Sequence, residues 1–250
     1  MWRRLIKYYL VPALFVVVAF VLSMFLFDEV ASNTTREERF GFKPEPEVWI
    51  LSEYDKLFKE IGEAEDVDWI LLSAIASIES KFDAEARSNA GAVGLMQVMP
   101  SVARSMGYDV ATLKDPRVNV EIAAKLLHEN NDMLNFSPKF NKIERLNFIL
   151  ACYNAGYSRI ADARRLARYF EENAGRWSVV STYLPLLAEP EYAEHEVVTG
   201  GPFYGSAETI AYVKAVMRVY KRYKRTVEEA EAEAERVKAE REKQRKERRR

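Results

Sequence analysis

The stretch DWILLSAIASIESKF, residues 68–82, decides both the fold class and the chemistry of this chain. Asp68 stands where an N-cap side chain accepts from the first free amides of a helix, and Trp69 to Ile78 carry no charge. A helix that is apolar on almost every side belongs inside a protein, not on its surface. The first acid after Asp68 is Glu79, at the far end of this run. A carboxyl group set in an apolar cleft has its ionised form disfavoured, so its pKa rises toward neutrality and it can act as a general acid. An acid at a helix end is also a common solvated terminus, and position alone does not separate the two readings.

Outward from this segment the chain reads as successive amphipathic helices. One lies within VWILSEYDKLFKEIGEA (48–64), and others fall near 100–107, 119–133, 141–153 and 156–170, with a last one starting near Ser206. Strand signals are almost absent, so the fold class is mainly α. The longest break is PEYAEHEVVTGGPFYG, residues 190–205, a length more often functional or mobile than neutral. With 250 residues, 48% of them hydrophobic, the chain can bury one good core. The formal net charge of -1 argues against a nucleic-acid partner. One cysteine, Cys152, makes no intrachain disulfide, and two histidines with that cysteine give no metal-ligand spacing, so no metal or cofactor is expected.

The chain opens with MWRRLIKYYLVPALFVVVAFVLSMFLFDEV. Tyr8 to Phe27 is an uncharged, mostly apolar run, long enough to cross about 30 Å of hydrocarbon. Arg3, Arg4 and Lys7 precede it and Asp28 and Glu29 follow, which places the N-terminus in the cytoplasm and the remainder across the membrane. The alternative is a cleaved signal peptide, whose apolar core is ordinarily shorter. The expected organisation is an anchor over 1–28, a polar tether over 29–46, a helical domain over 47–225 and a charged tail over 226–250, helical or disordered.

Several short blocks then occur in order: Glu79-Ser80-Lys81-Phe82, Ser88, GAVGLMQVMP (91–100), Asn119, ACYNAG (151–156), and Glu208-Thr209 followed by Tyr212-Val213. In residue type, order and approximate spacing this set resembles the catalytic domain of soluble-lytic-transglycosylase (SLT) type, over roughly residues 60–222. The resemblance implies a lysozyme-like helical fold with a groove for peptidoglycan glycan strands. It also implies non-hydrolytic cleavage of the MurNAc-β-1,4-GlcNAc bond to a 1,6-anhydroMurNAc end. Carried over by position, Glu79 is the single general acid and then base, and Ser88 lies beside the reacting sugar. Gln97 and Met99 line the groove, and Tyr153 and Asn154 are substrate-binding, with the tyrosine near Glu79. Cys152 stands where a small residue such as alanine is usual, and the 190–205 segment departs from the pattern, which leaves the groove's shape open.

The same residues also admit plainer roles. Met96 and Met99 can serve the core as well as sugar faces. Gly156 can simply end a core helix, with Asn154 bonding local backbone. Glu208 and Thr209 read as structural, His128 as a helix-face residue and His195 as a loop residue. Asp83 and Glu85 read as solvent-facing, not as a second catalytic carboxylate.

From Lys221 onward there are thirteen Lys/Arg against eight Glu, an excess of about +5. Such a run usually solvates itself; the alternatives are contact with an anionic cell-wall polymer, anionic lipid or a cell-wall protein partner. Three functional readings follow: an inner-membrane, single-pass lytic transglycosylase facing the periplasm, a hydrolytic muramidase of the same fold, and a non-catalytic peptidoglycan-binding scaffold.

Overall fold

The computed structural model describes residues 50–247. The apolar run and tether expected over 1–46 lie outside the described residues; among the described ones, no helix is long and apolar enough to cross a membrane. The elements are α1 (Asp55–Ala64), α2 (Trp69–Glu79), α3 (Pro100–Ser105), α4 (Pro116–Leu134), α5 (Lys142–Ala155), α6 (Tyr157–Tyr169), α7 (Trp177–Tyr183), α8 (Pro190–Ala193) and α9 (Ser206–Glu247). Short 3-10 turns cover Val110–Lys114 and Pro185–Ala188. β pairing among the described residues is confined to the bridges Arg87–Val93 and Val93–Val98. The mainly helical expectation holds.

Helix α2 is the buried axis. Every residue from Ile70 to Ala76 is buried, and α1 packs on it from one side and α9 from another. Asp68 caps it as expected, accepting from Ile70 N at 2.9 Å, and its other oxygen takes the Tyr220 hydroxyl of α9 at 2.6 Å. α5 in turn packs against α4, α6 and α9. α9 turns Thr209, Tyr212, Val213, Val216, Met217 and Tyr220 inward, the i, i+3, i+4, i+7 stripe of a core-facing helix.

Further on, α9 leaves the core. Val227 is the last buried residue, yet the helix continues to Glu247, so the charged tail is helical as far as it is described. α7 and the Pro185–Ala188 turn fall where no helix is read from sequence. They are too short to show a period, and they are held by tertiary contacts: Trp177 N donates to Glu144 Oε2 at 2.7 Å, and the Trp177 ring meets Phe148 edge-on at 5.6 Å.

Between α2 and α3 the chain makes a compact loop, tied to α4 by one amide. Asn119 is fully buried. Its Oδ1 accepts from Met96 N at 2.8 Å, and its Nδ2 donates to Val93 O at 2.9 Å and Leu113 O at 2.8 Å. Gly94 has φ +82°, and a Cβ there would come within 2.6 Å of Asn119 Nδ2. The glycine therefore serves close approach to Asn119 within the fold.

Truncating Asn119 to Ala strands two buried backbone groups, Met96 N and Leu113 O, each expensive to leave unpaired, while Val93 O keeps its bond from Val98 N. Asn119→Ala is expected to lower unfolding free energy by about 3 kcal/mol in urea titrations. A loss below about 1 kcal/mol, within reach of one ordinary hydrogen bond, would show that the loop is held elsewhere.

Candidate active site

Glu79 is the last residue of α2. The helix stops there because the chain turns sharply: Lys81 and Phe82 take φ +56° and +66°, a left-handed conformation that side chains with a Cβ rarely adopt. Gln97, across the loop, is left-handed too, at φ +49°. Such strained backbone gathers at functional sites, where the surrounding structure holds it in place. The Ser80 hydroxyl fixes the end of α2 to the loop, donating to Leu95 O at 2.8 Å.

The Glu79 carboxyl is partly enclosed, and its pKa is raised to about 7. Burial is the main cause; the Tyr212 hydroxyl pulls the value down and the Glu208 charge pushes it up. Tyr212 is buried, and its hydroxyl has no partner in full hydrogen-bond geometry. It lies beside the carboxyl, close enough to bias titration without a well-formed bond. Burial next to Glu79 also raises the pKa of Tyr212 and Tyr153 well above the tyrosine range. Both therefore remain donors at neutral pH.

Tyr153 and Asn154 end α5, which is capped by Gly156 at φ +84°, its N–H donating to Cys152 O at 2.8 Å. The Tyr153 hydroxyl, which sequence reading aims at the cleft, donates to Met96 O at 2.7 Å. Asn154 reaches beyond local backbone: its Oδ1 lies 2.8 Å from the Thr209 hydroxyl in the first turn of α9. Cys152 is buried, and burial pushes its thiol up to about 12.

On the loop, Ser88 is exposed and its Oγ accepts from Ala92 N at 3.0 Å. Gln97 directs Nε2 inward to Gly94 O at 2.9 Å and Ala86 O at 3.2 Å, which leaves Oε1 as its polar group toward a ligand. Met96 is fully buried, whereas Met99 is 37% exposed, so the two methionines divide the roles that sequence assigned to both. Asp83 and Glu85 are exposed, with Glu85 paired to Lys114. His128 pairs with Asp132 on the surface of α4, and His195 stacks edge-on against Tyr169.

Glu79, Tyr153, Asn154, Glu208, Thr209 and Tyr212 thus converge from the ends of α2, α5 and α9. Tyr212 is the participant to which sequence analysis gave no role. Its signal was present, four residues after Glu208 and on the same helix face.

Residues 56–175 match the family model of the transglycosylase SLT domain. Over those residues the chain is similar to the transglycosylase SLT family. The membrane-bound lytic murein transglycosylase F of Alcanivorax borkumensis is 34% identical over 167 residues, which is 67% of this chain and 34% of that protein. The protein of the same name from Aeromonas salmonicida is 35% identical over 172 residues, 69% of this chain and 33% of that one. The chain spans about a third of the length of these relatives. Among solved structures it is similar to the 70 kDa soluble lytic transglycosylase of Escherichia coli at 25% identity and TM-score 0.47, over 68% of this chain and 24% of that one. The matched residues include Glu79, Tyr153 and Asn154, while Glu208, Thr209 and Tyr212 come from α9, beyond the match.

The opposing influences on Glu79 can be read directly by following its carboxyl resonance against pH with 13C NMR. The group should titrate near 7 in the intact protein. Tyr212→Phe removes the donor that favours the carboxylate and should move the midpoint up; Glu208→Gln removes a like charge and should move it down. Unmoved midpoints in both variants would show that burial alone sets the value.

Proposed function

We propose that this chain is a peptidoglycan lytic transglycosylase that cleaves the MurNAc-β-1,4-GlcNAc bond without water and leaves a 1,6-anhydroMurNAc end. The observation that carries the reading is the carboxyl of Glu79, raised to about 7 by burial within the residues that match the SLT model. A group poised near neutrality can give and later take a proton at similar cost.

The steps balance on that one group. Protonated Glu79 gives its proton to the glycosidic oxygen as the C1–O bond breaks and GlcNAc departs. The resulting carboxylate takes the proton from the muramic acid 6-hydroxyl while that oxygen bonds to C1, so Glu79 ends protonated and no water is consumed. Charge developing at C1 is shared by the sugar's own N-acetyl oxygen and by dipoles of the groove, with Ser88 orienting the acetamido group. Gln97 Oε1 accepts from sugar hydroxyls or N–H groups, and Met99 gives a sugar face an adaptable apolar surface. Tyr153 and Asn154 border the same sugar: Tyr153 by steadying the loop at Met96 O, Asn154 through the amide it shares with Thr209.

The proposed setting is the periplasmic side of the inner membrane. The support is the apolar run Tyr8–Phe27 with Arg3, Arg4 and Lys7 before it, together with relatives named membrane-bound. Residues 29–46 serve as tether, 47–225 as the catalytic domain, and 226–250 as a tail whose basic excess suits anionic wall polymer or a cell-wall protein partner.

Glu79→Gln keeps size and reach but has no titrating proton. It should bind glycan strands yet lower anhydro-product release about a thousandfold, as judged by mass spectrometry of muropeptides from purified sacculi. Reducing-end muramic acid as the main wild-type product would replace the transglycosylase with a hydrolase. For topology, a reporter fused after Phe40 should be active only outside the cytoplasm, and the protein should stay in the membrane fraction after a high-salt wash. A soluble, N-terminally trimmed product would identify the first segment as a signal peptide.

A further inference from the structure

The 190–205 segment lies beyond the residues that match the SLT family model, and the structure clamps its second half. Asp162 of α6 is fully buried. Its Oδ1 accepts from Thr199 N and its Oδ2 from Gly200 N, each at 2.9 Å, and it pairs with Arg165. Arg165 also donates to Val197 O at 2.6 Å and to Thr199 Oγ1 at 2.7 Å. One turn earlier on the same face, Arg159 donates to Gly200 O and, at 2.8 Å, to Gly201 O. Its guanidinium lies 5.8 Å from the centre of the Phe203 ring. A Cβ on Gly200 would come within 2.6 Å of Asp162 Oδ2 and 2.8 Å of Arg159 Nη1, so the backbone sits directly on the clamp. Phe203 N donates to Leu187 O at 2.9 Å.

The residue that follows this clamp is Tyr204. It is 80% exposed, the most exposed large hydrophobic side chain among the described residues. Next comes Gly205, whose carbonyl lies 3.0 Å from the Thr209 hydroxyl, itself 2.8 Å from Asn154 Oδ1. Tyr204 therefore stands one residue from the backbone that meets the candidate site. A ring left in water by an anchored backbone loses little further freedom when something covers it. An aromatic ring with a polar edge matches a saccharide, which offers an apolar C–H face ringed by hydroxyls.

We propose that Tyr204 is a stacking platform for a sugar of the glycan strand just beyond Asn154, and that it sets the preference for strand length. The proposal rests on the glycan-cleaving reading above. It assigns the clamp of Arg159, Asp162 and Arg165 a positioning role: it holds the platform at a fixed distance from Glu79.

The test uses the full-length Glu79→Gln protein, so that ligand persists, and measures by calorimetry the binding of peptide-free MurNAc-GlcNAc oligomers of increasing length. Adding Tyr204→Ala should weaken the longer oligomers about tenfold, the scale of truncating an aromatic contact, and leave the single disaccharide unchanged. Tyr204→Trp and Tyr204→Phe should keep the parent affinities. Equal affinity of the parent and the Ala variant at every length overturns the platform. Equal loss at every length overturns its placement beyond Asn154. Absence of glycan binding by the Glu79→Gln parent overturns instead the functional reading on which the proposal rests.

Discussion

One buried amide organises this site. Asn119 holds Val93, Met96 and Leu113 together from inside α4, and Met96 then offers its carbonyl to Tyr153 of α5. Adjacent to Tyr153, Asn154 meets Thr209 of α9, and one turn on, Tyr212 meets Glu79. The loop, α5 and α9 are thus positioned in series by polar groups that have little or no access to water. The bonded groups of Asn119, Met96, Tyr153 and Thr209 would be costly to leave unpaired, and this makes the arrangement specific. Hydrophobic packing around α2 supplies the bulk of the stability, but packing alone tolerates small shifts that hydrogen-bond geometry does not.

Much of this was legible in the sequence because it depends on local chemistry. Asp68 as a cap, the apolar run to Glu79 and the glycine ending α5 are neighbours of the features they explain. The direction of Glu79's shift was legible for the same reason: an acid that ends an apolar run is drawn toward the interior, and burial is the main cause of its raised pKa. What stayed hidden depends on partners distant in the chain. Nothing near Gln97 reveals that its Nε2 reaches back eleven residues to Ala86, or that the close neighbour of Gly94 is an asparagine of α4. The start of α4 was misjudged by a few residues although Asp115-Pro116 is a strong start signal. The 190–205 segment reads in sequence as a break, functional or mobile by its length, and its order stayed hidden because it comes from Asp162, more than thirty residues upstream.

Helix α9 connects two regimes of the chain. Its first half is amphipathic and lies on α2 and α5; its second half is charged and exposed beyond Val227. At 42 residues it is about 63 Å long, longer than a domain of this size needs. A helix with so little burial in its second half draws support from good helix formers such as Glu, Ala, Lys and Arg, and from side-chain pairs such as Glu233 with Arg236. Its register is fixed only in the first half, where the buried stripe engages the core.

That register matters for the chemistry. Glu208 and Tyr212 are four residues apart, so they share one face of α9 and approach Glu79 together. One raises the pKa of the carboxyl and the other lowers it, and the two effects partly cancel, leaving burial to decide the value. A slip of α9 by one residue would rotate both groups by about 100° away from Glu79. The core resists that slip, because it would also expose Val213, Val216 and Tyr220 and break the Tyr220 hydroxyl's bond to Asp68. The same stripe that buries α9 therefore fixes the proton affinity of a carboxyl on another helix. Tuning of Glu79 is a property of how α9 packs, and a change at its buried face can alter the chemistry without touching the site.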